Sequence, residues 1–473
     1  MVPPRLARWL QENNVRWHNA IDFVPEVGGS CAGVGIVARA GFAPDMVRKS
    51  PSCGRFVSIP KTAVLSVRSS ALSGTALDSL PSTSPALLLS TCLVYEMQLG
   101  PASRWHAYVE SLGQEAPPIA ALWPRHGEAR AWAAGTQLER ELQRAGVDAE
   151  TIATFFEQHA EPLLVRASEK LSISATFALQ DFLRAYSFVS SRAFVVDSWH
   201  GLSLVPLADI FNHSDTPHVN LESDIWVCPL CGSLAECAHD DEVIDGVRIM
   251  DRPLQDDCLM VTTRTIRTGE EIFNTYGALS NAELLAHYGF LLDGNACDVV
   301  SIEPAFVFRQ FWSDETLDAV ASDYIDDCTR LLRGLLSQRS ADSQDLPSSL
   351  VHLEPPNAAH GLFSIDADAT LSLQLWVAVV LGSQRTAPGS EPLRVAEDVD
   401  FLHDAWLCAE SLHETIACFE GFRLDAHHVR AIAAEITRLC RRRLERQRCC
   451  PDSASSIFDK AEVGRPLYCA RQK

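Results

Sequence analysis

Apolar residues recur along this chain in two rhythms, and the places where the rhythm changes divide it. Residues 6–14 carry Leu6, Trp9 and Leu10 at helical spacing with Asn13-Asn14 behind them, which predicts a short amphipathic helix. A glycine-rich turn over 27–35 runs into a β-branched stretch to residue 38, and 56–60 and 64–67 read as short strands punctuated by Pro60. From residue 83 the spacing becomes helical, over 85–100, 105–112, 129–145 and 149–160, with turns at Pro117-Pro118 and Trp123-Pro124. At 185–194 the chain returns to the core with a mostly apolar pattern broken by one arginine. Beyond residue 304 it is helical again, over 311–336, 371–381, 398–418 and 426–446, with Pro-, Ser- and Asp-rich connectors between. The expected class is α+β: a β-rich domain over 1–82 and 185–303, split by a helical insertion over 83–184 and followed by an all-α domain over 304–473.

Two stretches combine a core pattern with chemistry. In the first, an apolar run from Val205 ends in Asp209, Asn212, His213 and Ser214. It reads as a strand or a buried helical turn that delivers polar groups to a fixed place. In the second, Gly269 is the turn of a hairpin whose second strand reaches Tyr276. Ser280 with Glu283 forms a capping box opening a short helix, and Gly289 fits its C-terminal cap, so Tyr276 and Tyr288 bracket that helix. Arg192, the one charge in an apolar segment, is expensive to bury alone and should meet a carboxylate, either Asp209 or one on a bound cofactor or substrate.

These motifs, A-D-x-x-N-H, G-E-E-x-F followed by a tyrosine, and S-N-A-E-L-x-x-x-Y-G-F, resemble those of the SET-domain methyltransferases of the Rubisco large-subunit methyltransferase class. That class includes ribosomal-protein lysine methyltransferases and an actin histidine methyltransferase. The resemblance implies a SET β-fold, an S-adenosylmethionine cofactor and a helical C-terminal domain that docks a protein substrate. It makes Tyr276 the catalytic tyrosine and places Asn212 and His213 on the cofactor. Gly33, Val34 and Gly35 match the family's glycine-rich pass along the cofactor. Ala32 stands where the family has an acidic residue, so only backbone contacts carry over there. Arg192, Asp209 and Tyr288 are carried over as substrate-side walls. The implied activity is lysine N-methylation of a non-histone protein, a ribosomal protein being one candidate. Histidine methylation, or a SET-fold binding module without chemistry, are the alternatives.

Composition bounds the rest. At 473 residues the chain exceeds what one core usually serves. A formal net charge of -21 disfavours phosphate-backbone binding, so no nucleic-acid partner is expected; it fits either attraction of a basic, lysine-bearing protein or plain solubility. Fifteen cysteines without a regular framework, and a first stretch unlike a signal peptide, point to an intracellular compartment, nucleus or cytoplasm. No membrane span is expected. The cluster Arg441-Arg442-Arg443 reads as a solvated face or an import signal.

One segment departs from the family pattern. Within 222–258 lie Cys228, Cys231, Cys237 and His239, in a C-P-x-C-G context followed by acidic residues. Three thiols and an imidazole at this spacing suit a tetrahedral, structural Zn(II), whose four protein ligands leave no open position for catalysis. A reduced cysteine-rich loop and a disulfide remain open.

Overall fold

The computed structural model describes residues 4–24, 34–41, 56–74, 77, 80, 84–170, 176–223, 227–234, 237–239, 256–302, 307, 324–332, 351–352, 363–367, 371–384, 398–399, 402, 434, 437–438 and 441. Its strands are β1 (Arg16–Trp17), β2 (Ile21–Val24), β3 (Gly35–Ala38), β4 (Val57–Pro60), β5 (Leu65–Ser66), β6 (Ala193–Val195), β7 (Leu202–Leu204), β8 (Val219–Glu222), β9 (Asp257–Thr262), β10 (Val299–Ser301), β11 (Val351–His352), β12 (Ser364–Asp366) and β13 (Leu371–Ser372). They form small sheets in the orders β1-β4-β9-β8, β5-β7-β6, β2-β3 and β10-β12-β13-β11. Alternation sets the faces: in β9, Cys258, Met260 and Thr262 turn inward while their neighbours are half-exposed.

The helices of 83–184 share one core with strands β2 to β9. Leu89, Leu93 and Phe182 are buried together with Val57, Ile59, Leu204 and Phe211. The helix Pro85–Leu99 is apolar on every side, which suits a helix surrounded by protein. Its one buried acid, Glu96, is satisfied by the Ser70 hydroxyl at 2.9 Å, the Ala71 N–H at 2.7 Å and the Ser103 hydroxyl at 2.6 Å. The long helix Leu179–Arg192 carries the chain back, and Arg192 ends it where β6 begins.

Local expectations hold with some corrections. The first helix is Pro4–Glu12, closed by Asn14 in a left-handed conformation. The stretch expected as one helix over 129–145 is two, Glu128–Ala133 and Gln137–Ala145, because Gly135 at φ +73° breaks the run. The region after 304, expected to be helical throughout, also supplies β11, β12 and β13. β10 leaves an edge that needs hydrogen-bond partners, and Ser364–Asp366 fills it in antiparallel register, with Ser301 opposite Ser364. Leu371-Ser372 belong to that sheet, and the helix starts only at Leu373, running to Gln384. Residues 324–332 are helical within the expected 311–336. Of the expected helices over 398–418 and 426–446, residues 398–399, 402, 434, 437–438 and 441 are described and are helical; the rest of both, the arginine cluster apart from Arg441, and the acidic residues over 240–245 lie outside the described residues. No helix among the described residues is long and apolar enough to cross a membrane.

Candidate active site

After β7 the chain reverses at Leu207, fully buried yet at φ +81° and ψ −43°. A leucine held there costs about 1–3 kcal/mol and persists only where its surroundings fix it. The fixing is visible: the Ile210 N–H donates to the Leu207 carbonyl at 3.2 Å and the Asp209 N–H to the Val205 carbonyl at 3.3 Å. The result is a single tight turn over Ala208–Ile210, after which 211–214 runs out extended.

That extended run lies beside 270–276. Gly269 makes the expected turn, at φ +82°, but the segment after it is not a strand: only isolated bridges join it to its neighbours. Its backbone groups are satisfied one at a time. The Ile272 N–H donates to Ile36 O at 2.7 Å and the Asn274 N–H to Asn212 O at 2.8 Å, while Asn274 O accepts from Ser214 N–H at 3.0 Å. Two histidines take the rest: His218 Nδ1 accepts from the Phe273 N–H at 3.2 Å and His213 Nδ1 from the Tyr276 N–H at 3.1 Å. Side chains still alternate as a strand would place them, with Ile272 and Asn274 turned into the protein.

The two segments bring Tyr276 between His213 and Tyr288. The ring centroids lie 5.0 Å and 4.9 Å apart, both at 21° between planes, and Phe290 closes the stack edge-on at 6.4 Å from Tyr276. Such spacings are those of favourable aromatic pairs. The Tyr276 hydroxyl donates to the Phe211 carbonyl at 3.0 Å, which sets two oxygens side by side. Burial pushes the Tyr276 phenol well above its ordinary range, and burial also lifts Tyr288, to about 12. Both hydroxyls are therefore neutral at physiological pH. Burial pushes His213 down from 6.5, which keeps it neutral and able to accept at Nδ1.

Tyr288 owes its position to a widened turn. The capping box forms as expected, with the Ser280 side chain accepting from Glu283 N–H and the Glu283 carboxylate returning to Ser280. Beyond it, the Gly289 N–H reaches back to the Leu284 carbonyl, five residues away, at 2.9 Å. Gly289 is left-handed at φ +81°, and a Cβ there would meet Pro118 backbone atoms at 3.1 Å. One inserted residue per turn of this kind often marks a functional site.

Beneath the stack, Asp209 is buried and meets Arg192. The guanidinium Nη1 lies 3.6 Å from its Oδ2 and donates to its backbone carbonyl at 2.8 Å. Tyr108, from the helical insertion, donates to the same Oδ2 at 2.9 Å. Burial pushes the Asp209 carboxyl up, against the opposing pull of Arg192. Asp209 Oδ1, Arg192 Nε and both amide atoms of Asn274, itself 1% exposed, have no hydrogen-bond partner among the described residues. Asn212 gives its amide N–H to Glu271 Oε1 at 2.8 Å.

Of the glycine-rich turn, Gly33 lies outside the described residues. Val34 is exposed, and Gly35 is buried at the start of β3, opposite Val24. β3 also touches the second segment, through the bridge of Val37 with Glu271. The structure thus gathers Gly35, Asn212, His213, Tyr276 and Tyr288 around 270–276, with Arg192 and Asp209 paired behind. Tyr108, Glu271, Asn274 and Phe290 belong to the same surroundings and were not singled out, although Glu271 and Asn274 sit inside G-E-E-I-F-N-T-Y and Phe290 closes S-N-A-E-L-x-x-x-Y-G-F.

The cysteine loop stands apart from the aromatic stack. Cys228, Cys231, Cys237 and His239 bring their ligand atoms within 4.8 Å of one another. Although its burial opposes it, the backbone N–H groups of Leu230 and Cys231 bring the Cys228 thiol down to about 7.

No family model matches the chain. Superposition on the SET domain of LSMT bound to lysine and AdoHcy covers 97% of this chain and 96% of that one at a TM-score of 0.51, with 16% identity. Rubisco LSMT bound to sinefungin and monomethyllysine superimposes with a TM-score of 0.50, 18% identity and 98% coverage of both chains. The chain has the SET-domain fold seen in Rubisco LSMT. Among curated proteins, this SET-fold chain is 30% identical over 175 residues to yeast (Saccharomyces cerevisiae) ribosomal lysine N-methyltransferase 3, covering 27% of this chain and 32% of the relative. It is 29% identical over 280 residues to human (Homo sapiens) N-lysine methyltransferase SETD6, covering 56% of this chain and 49% of that one. The dog (Canis lupus familiaris) actin-histidine N-methyltransferase matches at 29% over 143 residues, 29% of this chain and 19% of its own. The SET-fold chain therefore spans a third to a half of the first two relatives' length.

Proposed function

We propose that this chain is an S-adenosylmethionine-dependent protein lysine N-methyltransferase acting on a non-histone protein, with ribosomal proteins the first to test. The observation that carries the reading is the pair of oxygens, Tyr276 Oη and Phe211 O, set against a stack of His213, Tyr276, Tyr288 and Phe290.

Lysine must lose a proton before it can attack. With a free pKa of ~10.4, only about one molecule in 10^3.4 is neutral at pH 7, a handicap of roughly 4.6 kcal/mol. An aromatic, water-poor wall reduces it by disfavouring the ammonium. Donation of the Tyr276 proton to Phe211 fixes the orientation of the hydroxyl, so its lone pairs accept from an amine in one direction. The remaining work is positioning, because the amine and the methyl have to be held in line.

S-adenosylmethionine supplies, when bound, a methyl group on a sulfonium. The residues fit such a ligand: the unpartnered Asn274 amide is a buried polar group of the kind its amino-acid end satisfies. Gly35, Val34 and, by the motif, Gly33 would offer backbone. Asn212 and His213 would hold the cofactor from the opposite side, Asn212 with its amide oriented by Glu271. Asp209, Arg192 and Tyr288 are assigned to the acceptor side. In this reading 1–82 and 185–303 are the methyl-transfer domain, 83–184 its helical insertion and 304–473 the substrate-docking domain, in an intracellular, reducing compartment. The names of the yeast and human relatives support the lysine acceptor.

The test is transfer of label from methyl-labelled S-adenosylmethionine to ribosomal subunits and to cell extract, with mass-spectrometric identification of the modified residue. Label on a lysine is expected. Tyr276→Phe should lower the rate on the order of 100-fold, the loss typical of one oriented hydroxyl. Label on a histidine would move the assignment to the other acceptor. A chain that binds no S-adenosylmethionine by calorimetry would end the enzyme reading.

A further inference from the structure

The insertion between β8 and β9 owes nothing to the methyl-transfer site, yet it is built. The Cys228 N–H donates to Ser233 O at 3.0 Å and the Gly232 N–H to Cys228 O at 2.7 Å, so 228–233 closes on itself as a knuckle. The N–H groups of Leu230 and Cys231 turn toward Cys228 Sγ. His239 returns to this knuckle and sets its Nδ1 3.7 Å from the sulfur of Cys228 and 3.7 Å from that of Cys237. Bonds of ~2.3 Å to sulfur and ~2.0–2.1 Å to nitrogen give a tetrahedron with edges of roughly 3.6–3.8 Å. The two measured edges are of that length, and all four ligand atoms fit within 4.8 Å.

The knuckle is also docked. Ser198 Oγ donates to Val227 O at 2.9 Å, just ahead of the first cysteine. Gly232, at φ +72°, lies so close to Trp199 that a Cβ would stand 2.6 Å from the indole Cδ1. Arg68 covers Trp199 at 4.8 Å from the ring centroid. Ser198 and Trp199 form the tip of the β6–β7 turn, where Asp197 Oδ1 accepts the Trp199 and His200 N–H groups at 2.9 Å and 2.6 Å. Asp197 Oδ2 lies 2.7 Å from Lys61 Nζ.

We propose that Cys228, Cys231, Cys237 and Nδ1 of His239 bind one Zn(II), and that this metal knuckle clips residues 227–234 onto the tip of the β6–β7 turn through Trp199 and Ser198. All four ligands come from protein, so the metal has no position for substrate and acts by closing the loop. Each thiol gives up its proton to the solvent as its sulfur takes the metal.

Elemental analysis of the full chain, purified in reducing, chelator-free buffer, tests the site without reference to methyl transfer, so the two proposals fail separately. About one Zn per chain is expected, none in Cys231→Ser and the full amount in Cys297→Ser, whose thiol lies outside the cluster. Co(II) exchanged into the unmutated chain should give thiolate charge-transfer bands and the visible bands of a tetrahedral site, which decides the matter even if Cys231→Ser fails to fold. A metal-free wild-type chain after Zn(II) addition and desalting, a disulfide among the three cysteines in its place, or undiminished Zn in Cys231→Ser overturns the site. For the docking, Trp199→Ala and the milder Ser198→Ala should each release Zn(II) to a chromogenic chelator several-fold faster; rates equal to wild type overturn the clip.

Discussion

Tyr108 shows how far the site reaches. It lies in the helix His106–Ser111, and its hydroxyl donates to the buried Asp209 carboxylate, beside the charge of Arg192. Tyr108→Phe keeps the ring and removes the donor, leaving part of a buried carboxylate unsatisfied. The expected cost is about 1–3 kcal/mol in chemical denaturation. The carboxyl should also move further up in pH, which shows as a shifted pH profile of methyl transfer with the stack itself intact. A stability equal to wild type would remove Tyr108 from the Asp209 pair. Arg192 with Asp209 was legible in the sequence because a charge in an apolar segment is costly to bury without a carboxylate. Tyr108 was not, since nothing local marks which tyrosine of a helical segment turns toward a residue a hundred positions away. Leu207 was equally silent: no branched residue announces that it will be held left-handed, because the cause is the packing around it.

At the scale of elements, the segment 270–276 is the instructive case. The turn at Gly269 predicted a hairpin whose second strand reaches Tyr276, and burial does alternate over 271–274. What makes a strand, a continuous ladder, is absent, because the N–H groups of Phe273 and Tyr276 are taken by imidazole nitrogens supplied from 213 and 218. Pattern reading sees side chains; it does not see who accepts a backbone hydrogen. This clamp has a pH signature. Both histidines are pushed below 6.5, burial being the chief cause, with Arg264 adding to it at His218. As pH falls below 6.5 the unfolded chain takes up these protons first, so it binds more protons than the folded one. The stability is complete above that value and is lost as pH drops through the lowered folded values. The melting temperature should therefore decline between pH 7.5 and 5, and His218→Asn, whose side-chain oxygen can still accept from Phe273, should flatten the decline. A decline of unchanged slope would clear His218 of it. The helix that follows was better legible: a capping box and a terminal glycine are local chemistry, and both stand where Ser280, Glu283 and Gly289 put them.

Across the whole molecule, the α+β arrangement was readable because the change from strand to helix spacing is coarse. The extra strands after 304 were not, since two- and three-residue strands are too short to have a rhythm and exist only because β10 offers them an edge. The parts are tied together by a buried ion pair the sequence did not advertise. Lys61, 1% exposed, joins Asp197 at 2.7 Å and Asp256 at 3.1 Å, linking the end of β4 to the β6–β7 turn and to the start of β9. Lys61→Met would leave the buried Asp197 carboxylate without its lysine, and a cost of about 3–5 kcal/mol is expected by urea denaturation. Lys61→Met with Asp197→Asn should lose less than the sum of the two single changes, the mark of a coupled pair. Additive losses would show that the lysine and the aspartate act separately.

The widened turn at Leu284–Tyr288 carries a different kind of constraint. It holds one residue more than an ordinary helical turn, and that surplus is what aims Tyr288 at Tyr276. Deleting a single residue there would let the helix close normally and would swing the tyrosine by about 100° about the axis, since 3.6 residues complete a turn. A length change of one would thus empty one side of the stack even if every remaining letter were kept. In a lineage of such proteins, this helix can change its spelling more freely than its length.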